Sequence, residues 1–135
     1  MAMWMMLYYL ASHRGFWTPV GYIGHVVVRS ASVTSPGPVV AGIAIHMMVS
    51  MVLGALVAQA FPPAGWLFSM ARAIAVALAV WVVMQYGVIH ALDDVAFRGL
   101  IPWAFAVGHV AYGAMLGLIA ARTTLTAKLP GSLKA

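Results

Sequence analysis

The chain reads as long apolar runs separated by short polar interruptions. Three runs are long enough to cross a bilayer: about 38–60, which carries no formal charge, 73–92, which follows Arg72, and 99–121, which stops at Arg122. A helix needs about 20 apolar residues at 1.5 Å each to cover a hydrocarbon core of about 30 Å. The runs are continuous, without the period-2 alternation of barrel strands, so they predict helices, which satisfy their own backbone groups in lipid. The opening segment, Met1 to Ala11, is apolar throughout but spans only about 16 Å as a helix. It lacks the basic start and small-residue cleavage site of a signal peptide. Two readings stand for it: a half-span or interfacial helix, or the C-terminal half of a fourth span that begins upstream of Met1. Length favours the second.

Between 16 and 33 the pattern changes. Thr18 and Pro19 read as an N-cap followed by proline at the first helical position. Gly21, His25 and Arg29 then share one helical face, and Val20, Ile23 and Val27 another. With Phe16 and Trp17 at its start, this predicts a short amphipathic helix lying in the membrane interface. Ser35 to Pro38 (SPGP) breaks it before the first span, and Phe61 to Gly65 (FPPAG) makes the turn between the first two spans. The expected fold class is therefore all-α: an integral membrane helical bundle, 1–135, with three full transmembrane helices. A short N-terminal membrane segment (1–12), the interfacial helix (16–33) and a polar tail (122–135) complete it.

Composition sharpens this. The 135 residues are 64% hydrophobic and 7% charged, and mean hydropathy is +1.01. A soluble domain is about a quarter charged, so seven basic and two acidic residues are too few to coat a water-soluble globule. The formal charge of +5 does not point to nucleic acid, because the basic residues are scattered rather than gathered in a patch. They fit lipid headgroup contacts and topology signals. Arg122, Lys128 and Lys134 favour a cytoplasmic C-terminus, which puts Arg72 inside and Arg14, Arg29 and Arg98 outside. With no cysteine, disulfides, iron–sulfur clusters and thiol catalysis are excluded.

The sharpest motif is an internal repeat. His46 to Ala58 reads HMMVSMVLGALVA and His109 to Ala121 reads HVAYGAMLGLIAA, aligned at an offset of 63. His46, Leu53, Gly54 and Ala58 meet His109, Leu116, Gly117 and Ala121, and small Ser50 meets small Gly113. Positions i, i+4 and i+8 lie near one helix face, so Ser50 and Gly54, and Gly113 and Gly117, leave grooves suited to close helix packing in lipid. The two histidines fall roughly 12–15 Å from the same membrane face on parallel helices. Three uses compete there. Each imidazole donates a hydrogen bond to the backbone of a neighbouring helix or to Ser50, Tyr112 or Gln85, or the pair holds a haem b, a chlorin pigment or a metal, or handles protons.

The other candidates carry less. His90 with Asp93 and Asp94 has spacing for a cation or for raising the histidine pKa, though a solvated interfacial loop explains it more simply. His25 with Arg29, and His13 with Arg14, read as headgroup-facing. Met47, Met48 and Met51 beside His46 suit Cu(I) chemically, but methionine more often fills irregular packing. Trp17, Trp66 and Trp103 sit near predicted span ends, as an aromatic belt requires. Trp4 and Trp81 read as buried or lipid-facing. There is no Ser-His-Asp order, phosphate-cradling glycine loop or zinc-helix His-Glu pair, so no enzyme is expected.

The pieces Gly15–Pro19 (GFWTP), Gly42–Gly54 (GIAIHMMVSMVLG), Val80–Met84 (VWVVM) and Gly108–Gly117 (GHVAYGAMLG) together resemble a family of small, functionally uncharacterised bacterial inner-membrane proteins. The resemblance implies four helices, a full helix ahead of Gly15, and the bacterial inner membrane as the compartment. The chain departs from it after the second span, where His90 to Asp94 stands in place of a Pro-rich turn. The functional expectation rests on subtraction: a non-catalytic accessory or structural subunit packing beside other membrane-protein subunits. A haem- or pigment-binding electron- or energy-transfer subunit using His46 and His109 is the rival, and a small transporter or proton-conducting oligomer the third.

Overall fold

A computed structural model describes residues 2–29, 32–60 and 65–128. The predicted turn at 61–64, Lys134 and the end of the polar tail lie outside the described residues. Those described are helical, with no strand among them. Helix α1 is Ala2–Ala11, α2 is Thr18–His25 and α3 is Pro36–Ala60. Helix α4 runs over Trp66–Leu92, and its hydrogen bonding widens to π-helical over Val83–Ile89. Helix α5 is Asp94–Gly99 and α6 is Pro102–Lys128. Three helices are long and apolar enough to cross a membrane: Pro36–Gln59, Trp66–Leu92 and Pro102–Arg122.

Two of these begin away from their predicted starts. α4 begins before Arg72, whose guanidinium lies 3.9 Å over the Phe68 ring. A cation stacked on the aromatic one turn earlier sits comfortably inside a helix. α6 begins at Pro102, because proline is preorganised for a first helical turn, and Gly99 belongs to α5 instead.

The helices associate as two close pairs, α2 with α3 and α4 with α6. In the first, a Cβ on Gly24 or Gly42 would run into the opposing backbone of Pro38 or Val20. In the second, a Cβ on Gly113 would sit 2.6 Å from Ile74 Cα, and one on Gly117 2.8 Å from Met70 N. The order of these contacts makes α4 and α6 antiparallel, and buried Ala73 and Ala77 continue the small-residue seam.

One end of the molecule has a conventional core. Met5 and Tyr9 of α1 pack with Ile89, Ala96, Leu100, Ala104 and Phe105. The Tyr9 hydroxyl donates to Gly99 O at 2.6 Å and accepts from Ile101 N at 3.1 Å, closing the α5–α6 corner. Trp4 Nε1 donates to Ala104 O at 3.1 Å.

The interfacial helix differs from expectation. α2 spans 8 residues and buries Thr18, Pro19, Val20, Gly21 and Gly24 against its neighbours. Thr18 is not the cap: Trp17 holds that position without a side-chain cap, and the Thr18 hydroxyl donates to Arg14 O at 2.6 Å. Gly24 lacks the side chain that would hold α2 away from α3, and Gly21 the one that would clash with the Val33 backbone, so α2 docks rather than lying free.

Candidate functional site

α3 and α6 run parallel, and their repeated segments face each other. Tyr112 Oη donates to Ser50 O at 2.6 Å, and Gly54 lies 3.6 Å from Leu116 Cδ1 by the position of an added Cβ. The two halves of the repeat nevertheless have different neighbours. Gly113 and Gly117 lie on the α4 backbone, whereas Ser50 and Gly54 meet side chains of α6. The same small residues thus serve close backbone packing in α6 and room for Tyr112 and Leu116 in α3.

His46 and His109 line one cavity, together with Val49, Ser50, Leu53, Val80, Met84, Phe105 and Tyr112. His109 is 5% exposed, and its Nδ1–H donates to Phe105 O at 2.8 Å, one turn back on its own helix. A carbonyl oxygen only accepts, so the proton is assigned to Nδ1, and in the neutral imidazole Nε2 keeps its lone pair. The ring also packs edge-on against Phe105, centroids 4.8 Å apart. His46 is half-buried and makes no hydrogen bond among the described residues. Gln85 lines neither the cavity nor a histidine contact, and the one bond made, to Phe105 O, stays within the helix of His109, so none of the expected interhelical partners is used.

The cavity measures about 50 Å³. A water needs about 10–15 Å³ on this scale, so the space suits a few small atoms and not a macrocycle. Beside it lies an open groove of about 300 Å³ between α3 and α4, lined by Met48, Val49, Val52, Leu53, Leu56 and Val80. Met47 and Met51 face outward and do not line the cavity, so the methionines do not close a soft-metal site around His46.

A second constellation ties α2 to the α4–α5 corner. His25 Nδ1 lies 2.6 Å from Asp93 Oδ2. Asp93 Oδ1 accepts from Val95 N at 2.9 Å and Ala96 N at 3.0 Å, capping α5. Arg29 Nη2 donates to Leu92 O at 2.7 Å. His25 therefore turns inward to this corner rather than to headgroups, Arg29 reaches Leu92 O while staying exposed, and Asp93, buried, is no part of a solvated loop. Burial pushes the Asp93 carboxyl up, but the Ala96 amide, the hydrogen bond and charge of His25, and the Val95 amide outweigh it and hold the group below its ordinary value. Asp94 pairs instead with Arg98 at 2.8 Å on the surface, and His90 packs edge-on against Phe97, centroids 4.6 Å apart. The three groups read as a cation site from spacing thus point to three different partners. No cluster of three or more His, Asp or Glu able to hold a metal occurs among the described residues.

A third polar feature sits in the π-helical stretch. Gln85 is 0% exposed, and neither its amide oxygen nor its nitrogen has a hydrogen-bond partner; the Trp81 indole nitrogen is likewise unpartnered. A lone amide in an apolar run is the sequence signal for it, but the π geometry that accompanies it leaves no mark in the pattern. The Asp93 cap was missed because 93–98 read as a loop; the aspartate directly before the helix is the signal that could have found it. The Tyr9 clasp carries no local signal, because its partners lie about ninety residues away.

Comparison with known proteins gives no match to a family model, to a curated protein or to a solved structure. The functional reading rests on the geometry.

Proposed function

We propose that this chain is a multi-pass integral membrane protein acting as a non-catalytic accessory subunit, its outer helix faces packed against other subunits of a larger membrane complex. The resemblance implies a bacterial inner membrane as the setting. The observation that carries the reading is the outer face of α3. Val40, Ile43, Met47 and Met51 follow one another along it and are 65%, 42%, 56% and 65% exposed. Only 11% of the apolar stretch of this helix is covered by the rest of the chain. A contiguous apolar surface of this kind marks a lipid- or protein-facing side. Flexible methionine adapts to a partner's contour, and small Ala44 and Ala55 beside it allow another helix to come close.

The acidic side chains support the non-catalytic part. The chain has two, Asp93 and Asp94, and both are engaged in capping and ion pairing. The cavity between His46 and His109 has too little room for haem b or a chlorin, so electron or energy transfer through a macrocycle is not favoured. No charged side chain lines that cavity, which gives ion conduction little to work with.

The test is extraction from native membranes in a mild detergent, followed by size analysis and cross-linking. The proposal expects migration with a larger partner, and release from it in a Met47→Trp/Met51→Trp variant whose own unfolding is unchanged. A lone monomer under the gentlest extraction contradicts it.

A further inference from the structure

We infer that the groove between α3 and α4 and the histidine cavity behind it form one binding site for a membrane-dissolved long-chain alcohol, a single hydrocarbon tail ending in a hydroxyl. The inference rests on the membrane setting proposed above and is independent of the accessory role.

The two spaces adjoin, with Val49, Leu53 and Val80 in both linings. Their linings divide sharply by polarity. The groove is apolar throughout, and the polar side-chain groups that can meet a ligand gather at the inner end. There the Tyr112 proton is committed to Ser50 O and the His109 Nδ1 proton to Phe105 O. What remains is an acceptor, Nε2 of His109, with the Ser50 hydroxyl and the unpartnered imidazole of His46. Polar groups left unpaired in apolar surroundings are costly, and one ligand hydroxyl serves the two imidazoles, donating to His109 and accepting from His46. A ketone or ester carbonyl has no proton for Nε2. A carboxylate, phosphate or ammonium would bring a charge into a cavity whose lining holds no Asp, Glu, Lys or Arg.

Size points the same way. About 50 Å³ at the inner end admits a head of a few atoms, and about 300 Å³ in the groove accommodates a tail. A small number of placed polar groups at the end of an apolar cleft is the common form of a small-molecule site.

The test uses protein carrying ¹⁵N-histidine in phosphatidylcholine nanodiscs, with successful insertion checked beforehand by co-elution with lipid. 1-Decanol is titrated in, with decyl methyl ether as the matched probe that lacks the proton. The expected result is saturable movement of the His109 and His46 imidazole resonances, with the alcohol binding at least tenfold more tightly than the ether. His109→Phe brings the alcohol down to the ether. Leu56→Trp, at an exposed groove position, weakens the alcohol at least tenfold while the helical spectrum is kept. Equal, unsaturable response to both probes means that ordinary acyl chains fill the groove, and overturns the proposal. So does undiminished binding in Leu56→Trp, or cross-linking of Leu56→Cys to a second copy of the chain in the same disc.

Discussion

Replacing Asp93 by alanine probes the corner on which α2, α4 and α5 converge. The substitution removes the acceptor that caps α5 through Val95 N and Ala96 N, at a cost of about 1 kcal/mol. It also removes the partner of His25, whose side chain is 13% exposed. A hydrogen bond involving a charged group contributes about 1.5–3 kcal/mol, so the expected total is about 2–4 kcal/mol. Asp93→Asn keeps a cap acceptor and loses about 1 kcal/mol. Unfolding by graded denaturing detergent in mixed micelles, followed by tryptophan fluorescence, measures both. A double-mutant cycle with His25→Ala isolates the pair and should return a coupling of about 1–2 kcal/mol. Acid titration gives a separate check. The folded Asp93 carboxyl lies below its ordinary value of 3.8, so its stabilisation is fully present above that value and is lost as pH falls through it towards the lower folded one. Asp93→Asn should lack that share of the acid limb. A wild-type-like Asp93→Ala, within about 0.5 kcal/mol, or strict additivity with His25→Ala, would refute the reasoning.

The glycines of the repeat should respond unequally. Gly117→Ala forces a Cβ onto the α4 backbone at Met70 and should destabilise by about 1–3 kcal/mol. Gly54→Ala meets only ordinary contacts at 3.6 Å and should be neutral or stabilising by up to about 1 kcal/mol; the same unfolding assay compares them. Gln85→Leu removes an amide with no partner and should stabilise by about 1–3 kcal/mol, and a loss of stability would mean that the amide is satisfied in the membrane. Tyr9→Phe deletes both bonds of the hydroxyl and should cost about 1–3 kcal/mol, with amide exchange rising first at Ile101.

Much of the scaffold was legible because the apolar runs are long and uninterrupted, which leaves few alternatives to three long helices. Their ends were less so. Arg72 looked like a boundary, yet its stacking on Phe68 is an i, i+4 relation that a helix creates and a linear reading of charge overlooks. The residues 93–98 read as a loop because they are the most polar stretch between two runs, whereas Asp93 uses that polarity to start a helix. His25 was assigned outward from the pattern of α2 alone; its partner lies 68 positions away, and separation on that scale leaves no local trace. The repeat singled out His46 and His109 as a pair, and both line one cavity. Sequence identity between its halves did not extend to environment, since α4 lies on Gly113 and Gly117 and has no counterpart on Ser50 and Gly54.

The central claim is that α3, α4 and α6 cross a bilayer, and the absence of native cysteine makes it directly measurable. Single cysteines at Met51, Val83 and Met115, each more than 60% exposed on the isolated chain, are treated in native membranes with a membrane-impermeant maleimide, alongside cysteines at surface positions Arg14 and Asp94. The account predicts that the three helix positions stay unlabelled until detergent is added, while the two surface positions react from whichever side they face once the membranes are made accessible. Labelling of Met51→Cys, Val83→Cys and Met115→Cys in intact membranes as fast as the surface pair would contradict it.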